Sequence, residues 1–353
     1  MFWRKICWAV WMVLILTNSP PATAETWQVE AWNPAFDYRG VSEESTYEIL
    51  HQGAKDWRLC IVYPHLKDPY WLSVNYGMVS EARRLGIGFR LMEAGGYLHL
   101  ERQRIQINSC ASQGADALIL GTVSYGQLTD SIESIGKEMP VIAVINDISD
   151  KGIAAKIGVS WIEMGRITGI YLAKRHPKGQ HPARVALFPG PIGPEWVQFV
   201  LEGFEQGIQG SAIEVVTIKH GDTGKEIQRN LVEDALEETP DVDYIVGTAV
   251  TAEAAISVLR NKNNDPIPRI LSFYMTHGVY RGIKRGKVLA APTDHPVLQG
   301  RMSIEQTVRV LEGKIIYKHF GPPIQMIDAN NIGTINFDQS LAPASFVPVY
   351  EFP

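Results

Sequence analysis

The stretch that decides the fold is residues 58–92, RLCIVYPHLKDPYWLSVNYGMVSEARRLGIGFRLM. It begins with the apolar run 58–63, continues through an amphipathic segment over about 70–85, and ends in a second apolar run at 89–92. Short apolar runs separated by a segment of helical length indicate a strand, a helix and a strand joined by a crossover connection. Such a unit predicts a parallel sheet, whose strands are buried on both faces.

The same alternation continues to residue 145 and then starts again. The first set continues with predicted helices at 99–113 and 127–136 and predicted strands at 117–120 and 141–145. The second set has five predicted strands, 185–188, 213–218, 244–246, 270–273 and 288–290, with helices between them at 196–209, 226–238, 252–260 and 279–285. Two successive sets predict an α/β protein with two similar doubly wound lobes, each built on a parallel sheet.

The N-terminus has the pattern of an export signal. Arg4 and Lys5 give a positive start, residues 6–17 are apolar, and Ala22-Thr23-Ala24 supplies a small-x-small cleavage site. The apolar run is shorter than the ~20 residues that a membrane-spanning helix needs. We therefore predict a cleaved signal peptide at 1–24, in preference to an uncleaved anchor, and a mature chain in the periplasm.

Length, composition and charge narrow the class of protein. The chain has 353 residues, 45% of them hydrophobic, which is enough for two domain cores. The formal net charge is −5 and no block of Lys and Arg follows the leader, which argues against a nucleic-acid partner. The His residues are scattered without ligand-type spacing, so neither a metal nor another cofactor is expected.

Two cysteines, Cys60 and Cys110, follow the predicted leader. An oxidising compartment permits a single disulfide between them. However, Cys60 lies in an apolar run and Cys110 lies in a helical pattern, so the sequence favours two buried free thiols and leaves the bridge open.

Aromatic residues cluster where a ligand site is expected. Ligands of open parallel sheets bind beyond the carboxyl ends of the strands. Six large rings follow the predicted strands or open the second set, namely Tyr70, Trp71, Tyr97, Trp161, Trp196 and Tyr274. One such ring alone is more often ordinary packing, but several at equivalent ends favour a site for a flat apolar ligand or a methylated cation. Asp68 or Asp294 would balance a positive charge or accept a hydrogen bond.

The sequence gives little support for catalysis. It contains neither a Gly-x-Ser-x-Gly elbow nor a Walker-type phosphate loop. Asp68, Asp147 and Asp294 are candidates for acid–base chemistry, but no spacing fixes two of them together. The sequence therefore predicts a binding protein and not an enzyme.

Two segments lie outside the alternation. Residues 25–56 carry Trp27, Trp32, Phe36, Tyr38 and Tyr47. This aromatic extension either packs across a lobe, which is the favoured interpretation, or presents a docking surface to a partner. The tail after Gly321 is Pro-rich, and its short apolar pieces at 324–327 and 332–337 either cross back between the lobes or add edge strands.

Asp68-Pro69-Tyr70-Trp71, the leader and the restarted alternation resemble the ribose-binding-protein-like, or type I, periplasmic binding proteins. The stretch 287–294, KVLAAPTD, is similar to the late binding segment of that family. The resemblance covers about residues 57–320 and implies two lobes that are joined by three crossings and close on a ligand. The implied boundaries are a 25–56 extension, an N-terminal lobe of 57–160 plus 295–325, and a C-terminal lobe of 161–294 plus 326–353.

The chain departs from the sugar binders of that family at their hydroxyl-binding residues. Those proteins carry Asn-Pro with two Phe after the first strand, Asp-Arg after the fourth and a further Arg in the second lobe. Here Asp68-Pro69-Tyr70-Trp71, Asn146-Asp147 and Trp196 stand at or near those places. The missing Arg side chains argue against a sugar ligand.

More narrowly, the aromatic set, the extension and residues 190–196 resemble a branch that binds trimethylamine N-oxide (TMAO) and docks on the sensor domain of a membrane histidine kinase. The resemblance implies a two-component system controlling anaerobic respiration. It implies an aromatic box of Tyr70, Trp71, Tyr97, Trp161 and Tyr274, with Asp68 and Asp294 as polar contributors. The oxide oxygen would accept a hydrogen bond from a backbone N–H, a Tyr hydroxyl or a Trp N–H. The alternative is the binding component of an ABC transporter for a sugar or a methylated amine.

Overall fold

The computed structural model describes residues 25–260 and 267–353. The predicted signal peptide at 1–24 lies outside the described residues. Across the described ranges, none of the helices combines the length and the apolar character needed to cross a bilayer.

The first lobe is built on a nine-stranded sheet in the order β15-β4-β3-β5-β6-β7-β13-β1-β2. Its strands are β1 (Thr26–Asn33), β2 (Val41–Glu48), β3 (Arg58–Tyr63), β4 (Gly88–Glu93), β5 (Ala117–Leu120), β6 (Val141–Val144), β7 (Ala155–Ile157), β13 (His319–Gly321) and β15 (Glu351–Phe352). Its helices are α1 (Pro69–Leu85), α2 (Leu100–Ser112), α3 (Thr129–Ile135) and α9 (Pro296–Leu311). The strands from β4 to β13 are parallel, whereas β15, β1 and β2 pair antiparallel.

The second lobe is built on a six-stranded sheet in the order β14-β12-β11-β10-β8-β9. Its strands are β8 (Ala183–Gly190), β9 (Ile213–His220), β10 (Tyr244–Gly247), β11 (Arg269–Ser272), β12 (Ala290–Thr293) and β14 (Gln325–Asp328). Its helices are α4 (Trp161–Ala173), α5 (Glu195–Ile208), α6 (Lys225–Glu238), α7 (Ala249–Arg260) and α8 (His277–Lys284), followed by a 3-10 turn at Ile332–Thr334 and the short α10 (Phe337–Ser340). All pairs are parallel except β12–β14.

The two predicted doubly wound lobes are confirmed. Continuous apolar runs form the buried parallel strands, and every residue of β5, β6 and β10 is buried. Three crossings join the lobes, between β7 and α4, between β12 and α9, and between β13 and β14. Of the predicted strand at 288–290 only residue 290 lies in a strand, because β12 covers 290–293. The apolar piece at 332–337 forms helical turns instead of an edge strand.

The tail makes one further passage between the lobes. β14 pairs with β12 of the second sheet, but β15 pairs with β4 of the first. The prediction that all of 326–353 belongs to the C-terminal lobe is therefore wrong for its end. The apolar pieces of the tail indicate that it packs on the protein, but they do not indicate on which lobe. The lobe depends on which sheet has a free edge strand for the tail to pair with.

The preference for two free thiols is also wrong. Cys60 on β3 and Cys110 on α2 form a disulfide with a Cα–Cα distance of 5.8 Å. Helix α2 packs on the face of the sheet to which Cys60 points, so two residues 50 apart in sequence meet in the core. The apolar and helical patterns correctly predicted that both cysteines are buried. A periodicity within one element, however, carries no information on a contact between two elements far apart in sequence.

The aromatic extension forms a hairpin that continues the first sheet. β1 pairs with β2 over its whole length and with β13 at Glu30 and Ala31. The rings of Trp27 and Tyr47 are buried and stacked with centroids 5.8 Å apart. The structure thus agrees with the favoured interpretation that this segment packs on a lobe.

Candidate functional site

Six aromatic side chains converge between the two lobes into a closed ring, which we call the aromatic box. Its members, in spatial order, are Trp71, Tyr70, Tyr274, Trp161, Trp196 and Tyr97. From Trp71 to Tyr97 the successive ring centroids lie 6.1, 5.5, 6.2, 5.2 and 6.0 Å apart, and all six residues line one cavity. All six are buried. Each lobe contributes three, so the box exists only when the lobes are together.

The first lobe positions its three rings through α1 and the loop after β4. Asp68 is the N-cap of α1, where its carboxylate accepts a hydrogen bond from the backbone N–H of Tyr70 at 2.9 Å, and Pro69 occupies the first helical position. This start places Tyr70 and Trp71 in the first turn, at the carboxyl edge of the sheet. Tyr97 follows β4 at the same edge.

The second lobe holds two of its rings as a unit. Trp161 is the first residue of α4, and Trp196 lies in the first turn of α5. The two helices touch backbone to backbone, because a Cβ at Gly165 would lie 2.0 Å from the Val200 carbonyl oxygen and a Cβ at Gly203 would lie 1.8 Å from that of Ile162. Only glycine permits this approach, so a displacement of one helix also displaces the other.

Asp68 forms a polar link between the lobes at the box. Its Oδ2 accepts a hydrogen bond from the Tyr274 hydroxyl at 2.5 Å, while its Oδ1 remains on the Tyr70 N–H. Burial raises the pKa of Asp68 to about 6, although both hydrogen bonds act to lower it. A carboxylate with such a pKa is charged at neutral pH and sits against the rings, where it attracts a positive group.

Asp294 lies behind the box rather than in its wall. Its Oδ2 accepts hydrogen bonds from the Tyr70 hydroxyl at 2.6 Å and from Gln299 Nε2 at 2.8 Å. Burial raises the pKa of Asp294. Its observed contact with the box is therefore through Tyr70, which it orients.

The structure brings the other predicted site residues together around one cavity. The cavity is lined by Asp68, Tyr70, Trp71, Tyr97, Ile145, Asn146, Trp161, Trp196, Thr223 and Tyr274. The sequence reasoning placed Trp196 at a strand end but left it out of the box, and it assigned no role to Thr223. The signal for Trp196 was available, since it follows β8 as Tyr274 follows β11.

The indole N–H groups of the two tryptophans differ in their partners. Trp161 Nε1 donates to the Ile145 carbonyl oxygen at 3.1 Å. Trp196 Nε1 is buried and has no hydrogen-bond partner among the described residues. A buried N–H without a partner is unfavourable by roughly 1–3 kcal/mol, so this group is a ready donor for a ligand atom that can accept.

The size of the cavity favours a small ligand. The volume of the cavity is about 20 Å³, far below the roughly 300–1,000 Å³ of ordinary ligand pockets. The described residues contain no group of three His, Cys, Asp or Glu side chains able to hold a metal ion. The site therefore offers aromatic faces and one carboxylate to a compact molecule, and Trp196 in its wall has a buried N–H without a partner among the described residues.

Comparison with known proteins identifies the family. The model for periplasmic binding proteins and the sugar-binding domain of the LacI family matches residues 56–347. The chain belongs to this family. Among its relatives is the periplasmic protein TorT of Escherichia coli strain K12, which is 41% identical over 297 residues, or 83% of this chain and 84% of TorT. The ribose import binding protein RbsB of Bacillus subtilis is 20% identical over 77% of this chain and 87% of its own length.

Solved structures of the family share the fold. An ABC transporter solute-binding protein from Bradyrhizobium sp. BTAi1 with bound bis-Tris is 46% identical, with a TM-score of 0.79, over 92% of this chain and 98% of that one. The complex of the TorS sensor domain with TorT in the presence of TMAO contains a chain that is 41% identical, with a TM-score of 0.76, over 84% of this chain and all of that one. The same complex without ligand gives a TM-score of 0.77. Family and relative are both described as periplasmic.

Proposed function

We propose that this chain is a periplasmic binding protein that captures TMAO in the aromatic box and signals its presence to the sensor domain of a membrane histidine kinase. It would reach the periplasm through a cleaved signal peptide at 1–24 and would catalyse no reaction. The observation that carries the proposal is the ring of six aromatic side chains, one of which, Trp196, has a buried N–H without a partner among the described residues.

The chemistry of the box fits this ligand. TMAO presents three methyl groups on a formally positive nitrogen and one oxygen that accepts hydrogen bonds. Aromatic faces attract a methylated cationic group by roughly 0.5–2 kcal/mol each, and the methylated end of TMAO is the positive end of a neutral molecule. Trp196 Nε1 would supply a donor for the oxygen. The proposed contact residues are Asp68, Tyr70, Trp71, Tyr97, Trp161 and Tyr274, to which we add Trp196. Asp294 would act by orienting Tyr70.

The relatives support both parts of the proposal. TorT is 41% identical to this chain, and it has been crystallised on the TorS sensor domain with and without TMAO. The 41% identity extends over all of the TorT chain in those complexes, and this supports a kinase partner for the present chain. The partner for this chain would be a sensor kinase of that kind in a two-component system.

A specific observation favours a second function, solute delivery to an ABC transporter. The Bradyrhizobium solute-binding protein is 46% identical and matches 92% of this chain, which is more than the TorT complexes match. Bis-Tris, the molecule bound in that structure, is an amine with several alkyl substituents on nitrogen. An amine ligand would suit the same box, and the two functions differ in the protein partner.

The test is calorimetric titration of the mature chain with TMAO, with ribose as control. We expect saturable binding of TMAO that is lost in Trp71→Ala and in Trp161→Ala, and no binding of ribose. Mixing the chain with a purified TorS-like sensor domain, with and without TMAO, then tests the partner. Absence of TMAO binding would overturn the ligand assignment, and TMAO binding without any association with the sensor domain would favour transport.

A further inference from the structure

The tip of the β1–β2 hairpin, residues 34–40, touches both lobes. Through β1 the hairpin is part of the first sheet. Yet Arg39, at its tip, forms a two-pronged ion pair with Glu202 on α5 of the second lobe, with Nη1–Oε1 and Nη2–Oε2 distances of 2.6 and 2.7 Å. The Arg39 guanidinium also lies 5.7 Å from the ring centre of Phe199 on the same helix. We call this contact the Arg39–Glu202 clasp.

The tip is fixed firmly on the first lobe. The Phe36 N–H donates to His319 Nδ1 at 2.9 Å, and the His319 ring stacks on Trp32 with centroids 4.6 Å apart. The Lys156 ammonium is paired with Asp147 in the core and also donates to the Phe36 carbonyl oxygen at 3.3 Å. Because His319 lies on β13 and Lys156 on β7, the tip is anchored on the two strands from which the chain crosses to the second lobe.

The tip also packs on a crossing itself. A Cβ at Gly158, just after β7, would lie 2.5 Å from the Tyr38 hydroxyl. Tyr38 in turn meets His319 edge to face, with centroids 4.5 Å apart. The hairpin tip therefore bears on the segment about which the lobes would turn.

The clasp acts on the helix that carries part of the box. Trp196 lies in the first turn of α5, and Glu202 lies further along the same helix. α5 moves together with α4 and Trp161 because their backbones are in contact at the glycines. A contact that restrains Glu202 therefore also restrains Trp161 and Trp196.

We propose that Arg39 and Glu202 are positioning residues that stabilise the closed arrangement of the lobes. The clasp forms when α5 comes against the hairpin tip, so it adds to the stability of the closed arrangement with or without ligand, and it does not touch the ligand. By linkage, ligand binding and clasp formation favour each other to the same extent. The test by ligand dissociation rests on the proposed binding of TMAO, whereas the test by hydrogen exchange does not.

The first test measures TMAO kinetics by stopped-flow fluorescence in Arg39→Ala and Glu202→Ala. An exposed ion pair affects an equilibrium by about two- to fivefold, and we expect this factor as a faster dissociation rate with an unchanged association rate. The double variant should lose no more than either single one, and exchanging the charges in Arg39→Glu with Glu202→Arg should restore slow dissociation. Unchanged dissociation in Arg39→Ala would overturn the clasp.

The matched control is Arg229→Ala. Arg229 pairs with Glu233 within α6, and the exposed side-chain fractions of that pair, 54% and 40%, are close to the 57% and 34% of Arg39 and Glu202. This ion pair lies wholly in the second lobe, so Arg229→Ala should leave the dissociation rate unchanged.

The second test is hydrogen exchange of the ligand-free protein. We expect Arg39→Ala, but not Arg229→Ala, to speed amide exchange at the 158–160 crossing and along α5. If the wild-type chain fails to bind TMAO, the proposed ligand is wrong and the clasp is judged on this measurement alone. Equal exchange in wild type and Arg39→Ala would then refute it.

Discussion

At the scale of single residues, the two tryptophans of the second lobe show how one side-chain type serves two purposes. The Trp161 N–H donates to the Ile145 carbonyl oxygen, whereas the N–H of Trp196, a residue of the cavity wall, is buried without a partner among the described residues. The first is fixed by the protein, and the second is available to a ligand. Their rings, 5.2 Å apart, contribute to the same wall.

Trp196→Phe should separate the donor from the ring. The variant keeps an aromatic face but removes the N–H, so TMAO should bind about 1–3 kcal/mol more weakly, as expected for a ligand acceptor left unpaired. Titration calorimetry measures this difference. Trp161→Phe is the comparison, and its main effect should be on thermal stability because it leaves the Ile145 carbonyl oxygen without its donor. Equal affinity in wild type and Trp196→Phe would show that the oxygen is bound elsewhere.

The pH dependence of binding should report Asp68. Burial raises its pKa to about 6, so its negative charge is present above that pH and is lost as the pH falls through it. We expect the affinity for TMAO to be constant above pH 7 and to decline below pH 6, by at most about tenfold per pH unit for one proton. Asp68→Asn keeps an N-cap residue and should bind more weakly with a flatter profile. A wild-type profile that is flat between pH 7 and 5 would contradict this role.

At the scale of elements, each lobe has one close contact that holds two of its elements together. In the second lobe α4 and α5 meet through glycines, and in the first lobe α2 is tied to β3 by the Cys60–Cys110 disulfide. Neither contact involves a residue of the box. The contact between α4 and α5 nevertheless fixes the two helices that carry Trp161 and Trp196.

Gly203→Ala should disturb the pair of tryptophans. The new Cβ would lie 1.8 Å from the Ile162 carbonyl oxygen, and the helices must separate to admit it. We expect the free energy of unfolding to fall by several kcal/mol, of the order seen for overpacked sites, together with weaker TMAO binding. Urea denaturation followed by titration measures both. Gly126→Ala, where no atom lies within 4 Å of the added Cβ, should leave both unchanged.

Removal of the disulfide should lower stability without changing the box. The bridge closes a loop between residues 50 apart, and the chain-entropy relation gives about 4 kcal/mol for such a loop. The double variant Cys60→Ala/Cys110→Ala should unfold at a correspondingly lower urea concentration while binding TMAO with wild-type affinity. Reductant should destabilise the wild type and leave the variant unaffected, and an unchanged midpoint in the variant would contradict the expectation.

At the scale of the whole molecule, the box is a property of closure. Tyr274 of the second lobe donates to Asp68 of the first, and Thr223 Oγ1 of the second lies 3.1 Å from His65 Nε2 of the first. These buried contacts and the Arg39–Glu202 clasp at the surface all span the gap between the sheets. Separation of the lobes breaks all of them together.

Tyr274→Phe should shift the molecule toward an open arrangement. It removes a buried donor from Asp68 and leaves a carboxylate oxygen unsatisfied, which is unfavourable. Small-angle X-ray scattering should therefore give a larger radius of gyration than for wild type. Tyr244→Phe is the control, since its hydroxyl bonds His176 within the second lobe at 2.8 Å. Identical scattering of Tyr274→Phe and wild type would show that this bond does not hold the lobes.

The sequence predicted the fold and most of the box because both follow from short-range patterns. Apolar runs alternating with helical segments specify two parallel sheets, and the edge beyond the strands specifies where Tyr70 and Trp71 must lie. It missed the disulfide and the pairing of β15 with β4, which depend on residues far apart in sequence. It also predicted Asp294 as a polar contributor to the site, and in the structure Asp294 accepts a hydrogen bond from the Tyr70 hydroxyl. A position after a strand does not tell whether a side chain faces the cavity or supports another from behind.

The return of the tail has a practical consequence for building a fluorescent sensor from this chain. Strands β1 and β15, at the two described ends of the chain, both belong to the first sheet. A reporter fused beyond either strand would move with the first lobe. It would therefore not report a rotation of the second lobe. The exposed turn around Gly179, before β8 of the second sheet, is the kind of surface site that tolerates an inserted domain. A fluorophore pair split between that turn and one end would convert lobe rotation into a change in energy transfer.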